Sequence, residues 1–470
     1  MAISTTEGQT VTVFLQWPHA PGDLVMDSRF TPELQRRTIA KVSWRLLPLI
    51  IVSYLVAYID RTNVSFASLT MNPDLGITAY LYGWGAGIFF IGYAVFEVPS
   101  NMILERVGAR RWIARIMITW GIISGLMAIA TGPISFLVLR FLLGVAEAGF
   151  FPGIILYLTY WYPVAYRARV ISALFLAVPV SNVVAAVLSG AILGMDGMLG
   201  LRGWQWLFII EAIPAVVLAF AVLRLLTERP AKATWLSADE KEWLETELAS
   251  ERRHVERHGT LRLGKALTEP RVLLLALVYM TSVTASYGIV FFLPQVVKSF
   301  GLSDMKTGLV SAVPYAVGVI GLLFWGWSSD RRNERRWHLI IAMTVAGVGL
   351  LVVAWLGRSP WALLAMCFVT MGLYGSRPCF WPIPSTFLTG TAAAAGIALI
   401  NSIGNLGGYV GPFIVGWIRD STQSFEMALY FLAGCSLLSV VLTYFIRKPD
   451  EPEQPAAALD SITAAATTKI

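Results

Sequence analysis

The 470-residue chain is 56% hydrophobic and only 14% charged, and its net charge is +7. Soluble globular domains hold about 25% charged residues, so this composition excludes an ordinary soluble protein. Apolar stretches of about 20–25 residues recur along the whole chain, which is the length a helix needs to cross a bilayer. Barrel strands are much shorter, so the pattern predicts an all-α integral membrane protein.

Twelve transmembrane helices are predicted, in two groups of six. In chain order they cover 44–69, 80–104, 112–131, 134–160, 170–194, 204–226, 271–297, 305–329, 338–356, 361–386, 392–417 and 425–446. They define an N-terminal bundle (44–226) and a C-terminal bundle (271–446), with tails at 1–43 and 447–470. The first 43 residues are polar and mixed, which does not resemble a signal peptide.

The polar segment 227–270 separates the two bundles and is predicted to be a cytoplasmic linker. It contains "LSADEKEWLETELASERR", in which Ser237 and Glu240 have the spacing of a helix capping box. A solvated surface helix is therefore expected within the linker.

Positive charge is distributed unevenly between the two ends of the spans. If both termini lie on one side, 28 of the 36 Lys and Arg fall on that side. Such an excess marks the cytoplasmic side of a membrane protein. The pattern predicts a multi-pass protein of the cytoplasmic (inner) membrane with both termini cytoplasmic. It also explains the basic character of the chain without any nucleic-acid partner.

The two bundles carry an internal repeat. "EAGFFPGIILYLT" (147–159) in span four aligns without a gap with "RPCFWPIPSTFLT" (377–389) in span ten. The alignment places Pro152 opposite Pro382 and Thr159 opposite Thr389, and it makes Arg377 the counterpart of Glu147. Parallel halves of this kind occur in one large architecture of secondary transporters.

A second pair of similar segments, one in each bundle, indicates which architecture this is. "NMILERVGARR" (101–111) and "GWSSDRRNERR" (326–336) resemble the signature loop of the major facilitator superfamily, with Asn101, Glu105 and Asn333 departing from its consensus. The resemblance implies the major facilitator fold. It also implies a gating role for the acids and arginines of the loops, which are Glu105, Arg106, Asp330 and Arg331. Glu97 lies near the first loop, so a structural gate role is expected for it as well.

Four further motifs give a narrower resemblance. "YIDRTNVSFA", "GYAVFEVPSN", "RFLLGVAEAGFFPG" and "GTAAAAGIALINSIGNLGGYVGP" are similar to the anion:cation symporter family, whose members include tartrate-like, phthalate-like and sugar-acid permeases. The likeness covers about residues 40–450. It implies a transporter that imports an organic anion with protons, and these motifs do not distinguish one substrate from another.

Charged residues lie inside several spans, where each costs at least about 2.5–3.5 kcal/mol unless it faces a cavity or a partner. In span one, Asp60 and Arg61 extend a polar sector, and span four carries Arg140 and Glu147 seven residues apart on one face. Their depths are compatible with one shared cavity. Two mutually neutralising structural ion pairs are the alternative interpretation.

The family resemblance assigns roles to these residues. It implies that Asp60 and Glu147 carry protons and that Arg61 and Arg140 support anion recognition. The positions of Tyr58 and Tyr93 match residues that line the site in the family.

The C-terminal bundle offers three further candidates. The repeat places Arg377 at the central cavity, where it would add a second cationic contact suited to a second carboxylate. The alternative is an arginine that reaches toward the cytoplasm from a helix end. Asn401 and Asn405 lie four apart on one face of span eleven and can hydrogen-bond hydroxyls or a carboxylate. Asn401 also matches a substrate-contacting position of the family.

The predicted function is secondary active transport of a di- or aromatic carboxylate, such as tartrate or phthalate, with protons, by a monomer in the lipid bilayer. A sugar-acid or monocarboxylate symporter, an anion exchanger and sodium coupling stay open. An enzyme is not expected, because no Walker, HExxH or GxSxG motif is present. No cofactor or metal site is predicted, and no role is assigned to Glu211. A non-transporting receptor is disfavoured by the retained acids and arginines.

Overall fold

The computed structural model describes residues 30–257, 269–386 and 390–446. Fourteen α-helices are described, and we number them in chain order. They are α1 (Pro32–Leu75), α2 (Ala79–Val107), α3 (Ala109–Leu126), α4 (Pro133–Glu147), α5 (Phe150–Thr159), α6 (Val164–Leu193), α7 (Gly203–Leu225), α8 (Ala238–Arg257), α9 (Pro270–Lys298), α10 (Asp304–Arg332), α11 (Arg336–Leu356), α12 (Trp361–Phe380), α13 (Gly390–Thr422) and α14 (Glu426–Tyr444). Thr389, 258–268 and the C-terminal tail from 447 lie outside the described residues.

Twelve helical segments of the described chain are long and apolar enough to cross a membrane. Each coincides with one of the twelve predicted spans, so the predicted fold class is confirmed. Helices α4 and α5 together form the fourth span, Pro133–Thr159. Helix α8 is the polar exception, and it lies in the predicted linker.

The first helix begins earlier than its apolar stretch. The Thr31 hydroxyl accepts a hydrogen bond from the Leu34 N–H at 3.3 Å, and Pro32 occupies the first turn. A side-chain cap followed by proline is a strong helix start, whatever the polarity of the residues that follow. The helix therefore begins inside the segment that was assigned to the tail up to residue 43.

The fourth and tenth spans are not continuous helices, in contrast to the predicted 134–160 and 361–386. In span four the helix is interrupted after Glu147, and Gly149 adopts a left-handed φ of +83°. A Cβ at Gly149 would also collide with the Ser100 hydroxyl. In span ten α12 ends at Phe380, and a 3₁₀ turn at Pro384–Thr386 follows. Proline cannot donate to a helix, so Pro382 and Pro384 prevent its continuation.

Helices α1–α7 form one half of the molecule and α9–α14 the other. We call the side where α1 begins the tail side, and the side where it ends the far side. The halves meet where α2 packs on α13, α6 on α10 and α1 on α9. Gly190 of α6 and Gly308 of α10 form one such crossing, since a Cβ on Gly190 would lie 2.9 Å from the Gly308 Cα. This crossing lies near the far side.

Helix α8 lies against the tail side of the N-terminal half. The predicted capping box is confirmed: the Glu240 carboxylate accepts from the Ser237 N–H at 2.8 Å, and the Ser237 hydroxyl accepts from the Glu240 N–H at 3.3 Å. The same carboxylate pairs with Lys41 of α1 at 2.9 Å. The linker helix is thus attached to the first span.

Candidate functional site

A cavity lies between the two halves, with an empty volume of about 1010 Å³ including its open mouth. Small-molecule sites typically combine apolar walls with a few convergent polar groups. The walls here are mainly aromatic, and helices from both halves contribute. The lining residues on which the argument depends are Tyr54, Tyr58, Arg61, Tyr93, Asn182, Tyr279, Ser286, Tyr287, Tyr374, Arg377, Trp381, Asn401 and Asn405.

Arg61 is the cation that the N-terminal half presents to the cavity. Its guanidinium forms a buried ion pair with Glu147, whose side chain is 1% exposed. It also lies over the rings of Tyr58 and Tyr93, 4.9 and 5.3 Å from their centroids. Its Nη1 reaches the Tyr287 hydroxyl of the opposite half at 3.5 Å. Arg61 is therefore held in place by an acid, two rings and a residue from the other half.

Arg377 is the cation that the C-terminal half presents to the same cavity. Its Nη2 donates to the Ser286 hydroxyl at 3.0 Å, and its guanidinium lies 5.1 Å from the centroid of the Tyr279 ring. The structure thus places Arg377 at the central cavity, as the repeat predicted, and no carboxylate is paired with it within the described residues.

Three residues that line the cavity each hold a buried donor without a partner. The Nε of Arg61, the Nη1 of Arg377 and the indole Nε1 of Trp381 are buried without a hydrogen bond. Guanidinium and indole groups only donate, so their complement is a molecule rich in acceptors. An organic carboxylate has that character.

Asparagine and tyrosine side chains supply the remaining polar groups. Asn401 and Asn405 both line the cavity, as the sequence predicted. Asn182 of α6, which the sequence reasoning missed, donates to the Tyr374 hydroxyl across the two halves at 2.6 Å. Its one signal was a polar residue inside the apolar run "AVPVSNVVAAV".

The structure separates the four intramembrane charges of the N-terminal half that were expected to share the cavity. Arg61 lines it, whereas Asp60, Arg140 and Glu147 are buried behind its wall and do not. Neighbouring helix residues point about 100° apart, so Asp60 and Arg61 face different sides of α1. Arg140 lies behind the wall because its Nε donates to the Gly85 carbonyl of α2 at 3.1 Å.

Asp60 belongs to a second polar cluster that the sequence reasoning also missed. Its Oδ2 accepts from the Trp120 indole at 2.9 Å and its Oδ1 from the Ser124 hydroxyl at 3.0 Å, both on α3. Glu211 of α7 lies nearby and accepts from the Ser189 hydroxyl at 2.9 Å. The signal available in the sequence was the presence of an acid, Asp60 or Glu211, in each of two apolar spans.

The predicted gating residues lie toward the tail side. Glu105, Arg106, Asp330 and Arg331 are exposed, and Glu97 is half-buried. Asp330 pairs with Arg335, at the start of α11, at 2.5 Å. This contact links two helices of the same half, so it does not close the tail side across the two halves.

The fold and the cavity between its halves define a membrane transporter, and comparison with known proteins agrees. Residues 50–408 match the Major Facilitator Superfamily, so the chain belongs to that family. It is 48% identical over 424 residues to a protein of Agrobacterium vitis named "Putative tartrate transporter", which covers 90% of this chain and 94% of the relative. This likeness supports the predicted family of organic acid permeases.

A second relative has a different name. The chain is 45% identical over 415 residues to the "Quinolone resistance transporter" of Acinetobacter baumannii, covering 88% of this chain and 96% of that one. Among solved structures, a bacterial homolog to the human lysosomal transporter Spinster matches with a TM-score of 0.70 at 17% identity, covering 87% of this chain and 98% of the other. That identity supports the shared fold alone. Membership of a transporter family agrees with the prediction that the protein is not an enzyme.

Proposed function

We propose that the protein is a secondary active transporter that imports a small organic anion, a di- or aromatic carboxylate, together with protons by alternating access. The observation that carries this proposal is the convergence of Arg61 and Arg377, from opposite halves, on one cavity. Each retains an unpartnered N–H. A guanidinium stays charged and matches a carboxylate with two parallel hydrogen bonds.

The positions of the two arginines favour a substrate with two acceptor groups. A dicarboxylate can bind Arg61 with one end and Arg377 with the other, and so link the two halves. Asn401 and Asn405 then face the middle of the substrate and can hydrogen-bond its hydroxyl groups, as in tartrate. The aromatic walls suit the ring of a phthalate-like acid. The name of the Agrobacterium vitis relative supports the hydroxy-diacid choice.

The ion pair of Arg61 with Glu147 supplies a means of proton coupling. In this state Glu147 is paired with the Arg61 guanidinium, which a substrate carboxylate would need as its partner. Protonation of Glu147 removes its charge and frees Arg61 for the substrate. Loss of that proton restores the pair and displaces the anion. Proton binding and anion binding thereby favour one another.

Contacts between the halves support alternating access. Asp420 of α13 accepts hydrogen bonds from the Ala79 and Tyr80 N–H groups of α2 at 3.0 and 2.9 Å, near the far side. The distribution of Lys and Arg makes the tail side cytoplasmic. With the tail side cytoplasmic, the contacts at the far side support an inward-facing state, and the proposed transporter acts as a monomer in the inner membrane.

Uptake by proteoliposomes tests the proposal. Wild-type protein should accumulate labelled tartrate when the outside is more acidic than the inside, and a protonophore should abolish accumulation. Arg377→Ala should lower tartrate uptake about tenfold or more, since a hydrogen bond to a charged group contributes about 1.5–3 kcal/mol. Arg358→Ala, which alters an exposed arginine in the loop before α12, is the matched control. Tartrate uptake that does not depend on the pH gradient would contradict the proposal. An Arg377→Ala variant as active as the control would contradict it as well.

A further inference from the structure

The second polar cluster lies inside the N-terminal half, away from the cavity. It joins α1, α3, α6 and α7, and its central side chains are almost fully buried: Asp60 is 1% exposed, Asn63 0% and Glu211 4%. None of the three lines the cavity. The substrate site therefore does not account for Glu211.

The two acids of the cluster differ in how their oxygens are used. Both oxygens of Asp60 accept hydrogen bonds, from Trp120 and Ser124. Glu211 accepts one bond at Oε1, from Ser189, and its Oε2 is buried without a partner. A carboxylate that accepts at both oxygens is well suited to carry its charge. The bare Oε2 of Glu211 is suited to carry a hydrogen.

A second observation concerns Asn63, which lies beside Glu211 in the cluster. Asn63 is fully buried, and both polar atoms of its amide lack a hydrogen bond. Its side chain is close enough to Glu211 to interact with that carboxyl. Buried amides in folded proteins are almost always satisfied. A protonated Glu211 can donate to Asn63 Oδ1, and an ionised Glu211 can accept from Asn63 Nδ2, so this amide suits a carboxyl that gains and loses a proton.

The charges around the cluster lead to the same conclusion. Glu211 interacts with Asp60, and Asp60 interacts in turn with Glu147, so the neighbouring charges are acidic. Helices α1, α3 and α6 pack against α7, and within the described residues no lysine or arginine pairs with Asp60 or Glu211. Two buried carboxylates without a cation cannot both stay ionised, because like charges repel and burial removes their solvation.

We propose that Asp60 and Glu211 together hold one exchangeable proton, carried on Glu211 Oε2, and that Glu211 belongs to the coupling machinery. The inference deepens the proposed proton-coupled transport and rests on it. The step is acid–base chemistry alone. An O–H bond forms when the carboxylate takes a proton from water, and it breaks when the proton returns to water.

Three residues of the cluster lie near the far-side ends of their helices. Ser124 lies two residues before the end of α3, Ser189 four before the end of α6, and Glu211 eight after the start of α7, all counted from far-side ends. At about 1.5 Å per residue these are depths of roughly 3–12 Å. Asp60 lies deeper, 15 residues before the far-side end of α1, or roughly 22 Å. The far side is the nearer helix end for Glu211, so exchange of its proton with far-side water forms part of the proposal. Asp60, which adjoins Arg61 and interacts with Glu147, connects the charge of the cluster to the cavity.

Infrared difference spectroscopy on purified protein in lipid tests the proposal without any substrate. A pH step should produce carbonyl bands of buried protonated carboxyls in the wild type, one from Glu147 and one from Glu211. Glu211→Gln should lose one of these bands, Glu147→Gln should lose the other, and Glu97→Gln should keep both. Glu211→Asp, which retains a carboxyl, should show a shifted band and guards against a folding defect. Both bands unchanged in Glu211→Gln, or a Glu211 band displaced by sodium chloride but not by potassium chloride, would overturn the assignment of a proton to this site.

Transport separates failure of this inference from failure of the proposed function. Glu211→Gln should lose tartrate accumulation driven by a pH gradient but keep exchange of labelled for unlabelled tartrate, because a neutral side chain mimics the loaded state. If the variant keeps proton-driven accumulation, the protein is a proton symporter but Glu211 is not one of its coupling residues. If the wild type does not move tartrate, the infrared band still decides whether the proton is there.

Discussion

The ion pair between Arg61 and Glu147 is the best-defined element of the site at the scale of single residues. It is buried, with side-chain exposures of 11% and 1%, and it lies at the edge of the cavity. A buried pair gains little net stability, but the loss of one partner leaves an unpaired charge in a poor solvent. The proposed exchange of Glu147 for a substrate carboxylate would keep the Arg61 charge paired throughout.

Removal of the Glu147 charge should destabilise this state. Glu147→Gln should cost roughly 3–5 kcal/mol, as for other broken buried pairs, and lower the midpoint of thermal unfolding. The double variant Arg61→Met/Glu147→Met should recover much of the loss, because apolar side chains of similar volume avoid the unpaired charge. Glu105→Gln, at an exposed acid, is the control.

Thermal unfolding monitored by intrinsic fluorescence makes this comparison. Equal midpoints for Glu147→Gln and the Glu105→Gln control would show that the pair does not hold Arg61 in this state.

Residue type was easier to predict than side-chain direction. The sequence marked Asp60, Arg61, Glu147 and Arg377 as costly in lipid, and all four have polar partners in the structure. It did not show that Asp60 faces α3, because the direction of a side chain depends on which helices pack beside it. For the same reason, the sequence assigned no role to Glu211, because its neighbours on other helices were unknown.

At the scale of elements, α8 is connected to the first span through one acid. Glu240 pairs with Lys41 at 2.9 Å and Arg37 at 3.5 Å. Burial opposes its ionisation, but the hydrogen bond from Lys41, the N–H of Ser237 and the positive charges of Lys41 and Arg37 outweigh burial and lower the pKa of Glu240 below its ordinary 4.5. The acid is therefore ionised, and α8 docked, at neutral pH.

Docking of α8 should weaken in acid. A carboxyl whose pKa is lowered by docking contributes its stability above its ordinary pKa and loses it as the pH falls through the lowered value. Hydrogen-exchange protection factors of α8 should thus be full at neutral pH and fall in the acid range. Glu240→Gln should show the reduced protection already at neutral pH, and the exposed Glu242→Gln should not.

The pH dependence of hydrogen-exchange protection in α8 tests the contact of Glu240 with Lys41 and Arg37. Protection that is the same in Glu240→Gln and the wild type at every pH would mean that apolar contacts, such as those of the buried Trp243 and Leu244, hold α8 in place without the ion pairs.

Helix existence was predictable, whereas helix continuity was not. Apolar length placed all twelve spans, and the capping box placed the start of α8. Hydropathy could not reveal the interruption at Gly149, because Pro133–Thr159 is apolar enough along its length to read as one span. The structure accounts for the break through the left-handed φ of Gly149 and its close approach to Ser100.

At the scale of the whole molecule, the far side is closed by contacts between the halves. Asp420 accepts the N–H groups of Ala79 and Tyr80, so one half caps a helix of the other. A carboxylate at a helix N-terminus is favoured by the unsatisfied N–H groups and by the helix dipole. Asp196 makes a similar contact with the Gly203 N–H at 2.8 Å, but within the N-terminal half. Asp196 can therefore serve as the control for Asp420.

Asp420→Ala should shift the protein toward a state open on the far side. Loss of such a cap costs about 1 kcal/mol, which changes a two-state ratio roughly fivefold. Spin labels at Leu199→Cys and Arg358→Cys, both exposed in far-side loops, report the separation of the halves by pulsed electron resonance. The longer distance should gain population in Asp420→Ala but not in Asp196→Ala. The same distribution in both variants would show that this cap does not control closure.

The repeat made the whole-molecule arrangement partly predictable. A gap-free match between spans four and ten implied equivalent halves and brought Arg377 to the cavity opposite Arg61, as the structure shows. The conformational state was not predictable, since it depends on small differences between contacts such as that of Asp420 and those of the opposite state. The sequence patterns are the same in both states, so they give no information on the relative populations of those states.

The measurement that tests the central claim most directly is thermal stabilisation of the purified protein by matched acids, because a ligand stabilises the state it binds. Phthalate should stabilise the wild type more than benzoate, and tartrate more than galactonate. Arg377→Ala should remove the advantage of the diacids, and Arg358→Ala should preserve it. Equal stabilisation by diacids and monoacids, unaffected by Arg377→Ala, would contradict a site in which two arginines from opposite halves bind one organic anion.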